Sequence, residues 1–228
     1  MSLDTSLDTS LDAIIIPADS AQALLVLLHG WGANAQDVAA LAQYIELPGF
    51  SFAFPNAPFA FPYSPMGRMW YDLPESYSFF SQPEFRQQLQ VQTSRQALLN
   101  WLNSLESSTG IPLSRTILAG FSQGGAMTLE VGFSLPVAAL LVLSGYAHAP
   151  LDLATGLELP PILIVHGRMD QVVPLAAAQQ VRDALIQAGA PVQYHEITMG
   201  HEIQPAVLKL MQSFIEETVF PPNPLEKQ

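Results

Sequence analysis

Four short apolar runs, "ALLVLLHG" (23–30), "RTILAGFS" (115–122), "VAALLVLSG" (137–145) and "PILIVHG" (161–167), constrain this chain more than any other feature. Each is too short for a core helix and carries almost no polar residue to face water. Runs of this length that are apolar on both faces read as strands buried from both sides. Longer amphipathic stretches separate them. "NAQDVAALAQYI" (34–45) reads as a helix with Asn34 as N-cap. "PEFRQQLQVQTSRQALLNWLNSLES" (83–107) reads as one long helix, with Phe85, Leu89, Leu98, Leu102 and Leu105 on its apolar face. Further helices are expected from Gln123 to Ser134, over 174–189 with Gly189 as a stop, and over 203–219. "AIII" (13–16), "FSFAFP" (50–55) and "PVQYHEI" (191–197) complete the strands. Strand and helix in alternation, with apolar strands, predict an α/β fold on a mostly parallel central sheet flanked by helices. Such a sheet carries its site in the loops at the carboxyl ends of its strands. Here those loops begin at His29, Pro55, Ser122, Ser144, His166 and Ile197.

The 228 residues are enough for one such domain, expected over 13–220. It lies between a polar leader (1–12), repeating SLDT, SLDT, SLDA, and a tail (221–228). A net charge of −12 excludes a phosphate-backbone partner, which needs a basic face. The absence of cysteine excludes disulfides, thiolate zinc sites and cysteine nucleophiles. No basic residue precedes Arg68, so no signal peptide is read, and no run reaches the ~18 apolar residues of a membrane span. The reading is a soluble, cytoplasmic protein whose oligomeric state is open, a homodimer included.

One of those loops reads Gly120-Phe121-Ser122-Gln123-Gly124, the pattern G-x-S-x-G between a strand and a helix. A turn this sharp forces the serine toward positive φ and leaves no room for side chains two positions before and after it. The hydroxyl then stands above the sheet at the positive end of a helix. A Gly-rich turn without chemistry would share the pattern, so the serine needs partners. No Lys follows the glycines, which argues against a phosphate loop. A serine nucleophile needs an imidazole base and an orienting carboxylate, and in this fold they follow in the order serine, acid, histidine. Of the five histidines only His201, in "TMGHEI" after the last strand, has the right place. Asp170, in "HGRMDQVVP", is the favoured acid and Asp152 its rival. His166 and His29 are read as loop anchors. Oxyanion donors are expected from the backbone N–H of Gln123 and of Trp31, the latter in "HGWG".

Taken together, "LLHGWG", "FPNAP", "RMWYD", "ILAGFSQGGAM", "LSGY", "ILIVHGRMDQVVP" and "GHEI" resemble, in order, the phospholipase/carboxylesterase family of α/β-hydrolases, which includes the acyl-protein thioesterases. The resemblance runs over about 13–219 and implies a fold without a large cap domain. It implies hydrolysis of esters or thioesters through an acyl-enzyme, with Ser122, Asp170 and His201 as nucleophile, acid and base and no metal or cofactor. Trp31 stands where many members carry Leu, which alters pocket shape more than chemistry. The irregular aromatic stretch 57–83 is expected to cover the acyl or alcohol pocket, with Trp31, Phe59, Phe61, Met69 and Trp70 as lining. Trp70-Tyr71-Asp72 is expected to structure this stretch. Three other readings stand against this one. A dienelactone hydrolase would use cysteine. A peptidase would need a substrate-gating domain. A non-catalytic binding protein on a hydrolase scaffold would not need every catalytic position filled.

Overall fold

The computed structural model describes residues 11–80, 82–151, 153 and 158–219, with no side-chain description for 218 and 219. The SLDT repeat up to residue 10, the tail and Asp152 lie outside the described residues. Seven strands form one sheet: β1 (Ala13–Ile16), β2 (Ala23–Leu28), β3 (Phe50–Pro55), β6 (Thr116–Phe121), β7 (Ala139–Leu143), β8 (Ile162–Gly167) and β9 (Val192–Ile197). Their order is β1-β3-β2-β6-β7-β8-β9. All pairs are parallel except β1 with β3.

The apolar runs are buried on both faces because each face has its own helical layer. Leu24, Val26 and Leu28 of β2 point into one core, with Leu118, Leu140, Val142, Ile162 and Ile164 of the neighbouring strands. Ala23, Leu25 and Leu27 alternate into the other, with Ile117, Leu141, Leu163 and Val165. The first core is closed by α3 (Leu89–Thr109), α4 (Gln123–Gly132) and α5 (Leu175–Gln187). The second is closed by α1 (Ala35–Ala39) and α6 (Pro205–Phe214). The four leucines of β2 have no exposed surface, and each such burial stabilises the fold by roughly 1.5–3 kcal/mol.

Asn34 caps α1 as expected, through a reciprocal box in which its side chain accepts from Asp37 N–H at 3.1 Å and Asp37 accepts from Asn34 N–H at 3.0 Å. The stretch expected to run as one α-helix to residue 45 tightens into a 3-10 turn over Ala40–Tyr44. The long helix expected over 83–107 is two. A short α2 (Pro83–Arg86) is followed by Gln88 in an extended conformation, and α3 starts afresh at Leu89. Leu89 is therefore not on the apolar face. It sits in the first turn, 82% exposed, and the buried stripe is Val91, Ser94, Leu98, Trp101, Leu102 and Leu105. The last helix ends as α-helix at Phe214, with a π-helical turn over Ile215–Val219. Among the described residues no helix is long and apolar enough to cross a membrane.

Candidate active site

Ser122 stands between β6 and α4, with φ 54° and ψ −116°, a conformation that L-residues rarely adopt. The two flanking glycines make it possible. A Cβ on Gly120 would lie 2.2 Å from the Gly124 carbonyl oxygen, and one on Gly124 would lie 2.4 Å from that of Leu28. The turn is further held by Ser122 N–H on the Leu143 carbonyl at 2.8 Å.

Three loops then converge. His201 Nε2 lies 2.8 Å from Ser122 Oγ, and His201 Nδ1 lies 2.7 Å from Asp170 Oδ2. A carboxylate only accepts, so Nδ1 carries the proton and Nε2 is bare toward the serine hydroxyl, which donates to it. The other oxygen of Asp170 accepts from Val172 and Val173 N–H, both at 2.9 Å. Burial alone would raise the Asp170 carboxyl; the His201 bond and these two amides outweigh it and hold the group below its ordinary value. Asp170 is thus held as a carboxylate against His201 Nδ1. The Asp170 and His201 loops are stitched together by Arg168 N–H on the Ile197 carbonyl (2.8 Å) and Met169 N–H on that of Met199 (3.0 Å). Phe121 packs its ring against His201 at 4.9 Å.

The remaining histidines have other employment. His166 is buried, and its Nε2–H donates to the Val173 carbonyl at 2.9 Å behind Asp170. His148 meets Tyr71 Oη (2.6 Å) and Glu130 (3.3 Å), whose carboxylate also holds Arg86. His195 Nε2 pairs with Gln193 on β9. His29 accepts Ala57 N–H at Nε2 (3.0 Å), and its Nδ1 donates to the Gly30 carbonyl (2.8 Å).

Burial pushes His29 down from 6.5 to about 4, against a smaller upward pull from the Gly30 carbonyl. The folded value lies below the unfolded one, so the unfolded chain binds more protons between them. The stability His29 contributes is full above about pH 6.5 and is lost as pH falls toward 4. The expected loss is on the order of 3 kcal/mol over that window. Urea unfolding at about pH 7 and about pH 4 should show it, and His29→Asn should flatten the dependence. His166, also lowered by burial, adds to the same slope.

The "HGWG" loop lies against the serine: a Cβ on Gly30 would be 3.3 Å from that of Ser122. The stretch 57–83 is more ordered than its sequence implies. It begins with a hairpin of β4 (Phe59–Ala60) and β5 (Arg68–Met69). The hairpin is bonded to the loop through Gly32 N–H on the Arg68 carbonyl and Arg68 N–H on that of Ala33, both 2.9 Å. Trp31, 38% exposed, meets Phe61 edge-on at 4.8 Å. Phe59 and Phe61 are half-buried. Trp70 and Met69 do not line an open surface. Trp70 is fully buried with Nε1–H on the His29 carbonyl (3.0 Å), and Met69 is 7% exposed. The expectation that they form pocket wall is corrected: Met69 is buried within the hairpin, paired with Phe59, and Trp70 fastens the stretch to the body, as does Tyr71, whose Oη lies 2.8 Å from that of Tyr146. The Gln123 side chain, for which the sequence offers no local signal, accepts Trp70 N–H (2.8 Å) and donates to the Tyr71 carbonyl (2.7 Å).

The sequence profile described as Phospholipase/Carboxylesterase matches residues 10–219. The chain belongs to the phospholipase/carboxylesterase family. It is a hydrolase of carboxylic esters or thioesters, and the non-catalytic alternative is not favoured. Acyl-protein thioesterase 1 of Saccharomyces cerevisiae is 28% identical over 87% of this chain and 94% of its own length. Esterase YpfH of Escherichia coli is 28% identical over 89% and 86%. Among solved structures, esterase PE8 is 32% identical and superposes with a TM-score of 0.82, covering 91% of this chain and 99% of that one. The α/β-hydrolase fold of the family accounts for the element order and for the mostly parallel sheet.

Proposed function

We propose that this phospholipase/carboxylesterase family member hydrolyses its substrate with Ser122 as nucleophile, His201 as general base and acid, and Asp170 as the group that orients and stabilises His201. The observation that carries it is the unbroken row Ser122 Oγ, His201 Nε2, His201 Nδ1, Asp170 Oδ2, with spacings of 2.8 and 2.7 Å. Ser122 Oγ attacks the carbonyl carbon as its proton passes to His201 Nε2. The oxyanion is held by the backbone N–H of Gln123 and of Trp31, helped by the positive end of α4. As the intermediate collapses, the bond to the alcohol or thiol breaks and His201 returns the proton to that leaving group. Water then attacks the acyl-Ser122 ester, giving its proton to His201 Nε2; as the acyl–Oγ bond breaks, His201 returns that proton to Ser122 Oγ and the carboxylic acid departs. Every proton and charge in these steps has a partner among the chain's own residues.

The catalytic unit is the single domain over residues 13–220. Trp31 and Phe61, meeting edge-on beside the serine loop, favour an apolar group on one side of the scissile bond. Relatives named acyl-protein thioesterase and lysophospholipase-like protein support an acyl chain as that group. The test is covalent labelling. A fluorophosphonate probe is expected to modify one site, and peptide mapping is expected to find it on Ser122. A label mapped to any other residue refutes the assignment.

A further inference from the structure

The Gln123 side chain is 1% exposed, and both ends of its amide are used on one neighbouring segment. Oε1 accepts Trp70 N–H at 2.8 Å and Nε2 donates to the Tyr71 carbonyl at 2.7 Å. The same segment is tied to the loop of the other proposed oxyanion donor. The Trp70 indole N–H reaches the His29 carbonyl at 3.0 Å, and Arg68 exchanges two backbone bonds of 2.9 Å with Gly32 and Ala33. Trp31 therefore sits between two anchored points, His29 and Gly32, both fixed to the segment 68–71 whose Trp70 and Tyr71 backbone the Gln123 side chain grips.

We infer that the Gln123 side chain is a positioning residue, joining the two halves of the oxyanion site through residues 68–71 so that the Gln123 and Trp31 amides keep one spacing. The inference rests on the mechanism proposed above. An oxyanion site accelerates the reaction only when its donors are fixed before charge develops. The Gln123 amide needs fixing more than most, because it follows a serine held at φ 54° that the surroundings must over-determine. Glutamine is the residue type that fits. The bond to Trp70 N–H needs an acceptor, the bond to the Tyr71 carbonyl needs a donor, and a primary amide carries both on one planar group. Methionine matches its length with neither, and asparagine is one methylene short.

The experiment compares wild type, Gln123→Met and Trp70→Phe, with active sites counted by fluorophosphonate titration. Measured are kcat and KM on a p-nitrophenyl ester and the affinity for an aryl trifluoromethyl ketone, which forms the tetrahedral oxyanion on the serine. Gln123→Met is expected to lower kcat per titrated site about 10- to 100-fold, with KM within about twofold. Ketone binding should weaken by the same factor. Trp70→Phe, which removes the indole link to His29 and leaves the backbone bonds of residues 70 and 71 to Gln123 in place, should show the same signature about 3- to 10-fold deep. A purely structural role would lower thermal stability or the titrated fraction and leave the constants per site unmoved. The inference is overturned if Gln123→Met turns over within about twofold of wild type, or loses kcat with ketone affinity unchanged. If that variant yields no folded protein, Trp70→Phe decides: unchanged kcat and ketone affinity overturn it. Failure of the underlying mechanism looks different, since wild-type Ser122 would then resist the fluorophosphonate.

Discussion

Ser122→Ala is expected to lose ester hydrolysis by a factor on the order of 10⁴ to 10⁶ while keeping its fold. The Oγ makes its one hydrogen bond to His201, and alanine tolerates φ 54° about as well as serine does. Removing it leaves the turn, both flanking glycines and the bond from residue 122 N–H to Leu143 in place. Thermal melts should therefore nearly overlay those of wild type. The loss is large because no other described nucleophile stands at the end of this row and the oxyanion donors then have no covalent intermediate to hold. Initial rates on a p-nitrophenyl ester decide the matter, and retained activity of more than a few per cent of wild type would refute the mechanism.

Asp170→Asn is the second large effect, expected at roughly 10³- to 10⁴-fold in kcat with KM little changed. Its cause is the direction of a proton rather than the loss of a contact. The amide oxygen can keep the bonds from Val172 and Val173 N–H, which leaves the NH₂ facing His201 Nδ1. A donor there favours the tautomer with the proton on Nε2, the atom that must accept from Ser122. The imidazolium also loses its counter-charge. The variant should stay folded and should label slowly with fluorophosphonate. Labelling at the wild-type rate would show that Asp170 does not orient the base.

The parts of this design that were readable in sequence share a cause. Leu24 to Leu28, Leu140 to Leu143 and Ile162 to Val165 are runs whose burial on both faces leaves one interpretation, and the loops after them follow from the fold. Gly120 and Gly124 are legible because a Cβ at either has nowhere to go. What escaped is either too short to show a period or set by contacts distant in sequence. The hairpin strands Phe59–Ala60 and Arg68–Met69 have two residues each, below any repeat. The break at Gln88 carries no Gly or Pro, so the helical pattern reads straight through it. Trp70 looked like pocket lining because aromatic content does not tell which way a ring turns. The bond of its indole to His29 spans 41 positions, and the grip of Gln123 on its N–H spans 53. The Glu130, His148 and Tyr71 network is likewise assembled from elements that no local pattern connects.

The row at the active site joins residues that leave the ribosome at different times. Ser122 emerges with its turn and its oxyanion amides encoded, whereas Asp170 follows β8 and His201 follows β9, the last strand of the sheet. A nascent chain released from the ribosomal tunnel only as far as β7 carries the serine hydroxyl without Asp170 or His201. On the mechanism proposed above, catalytic competence waits for the loop after the closing strand, where His201 stands.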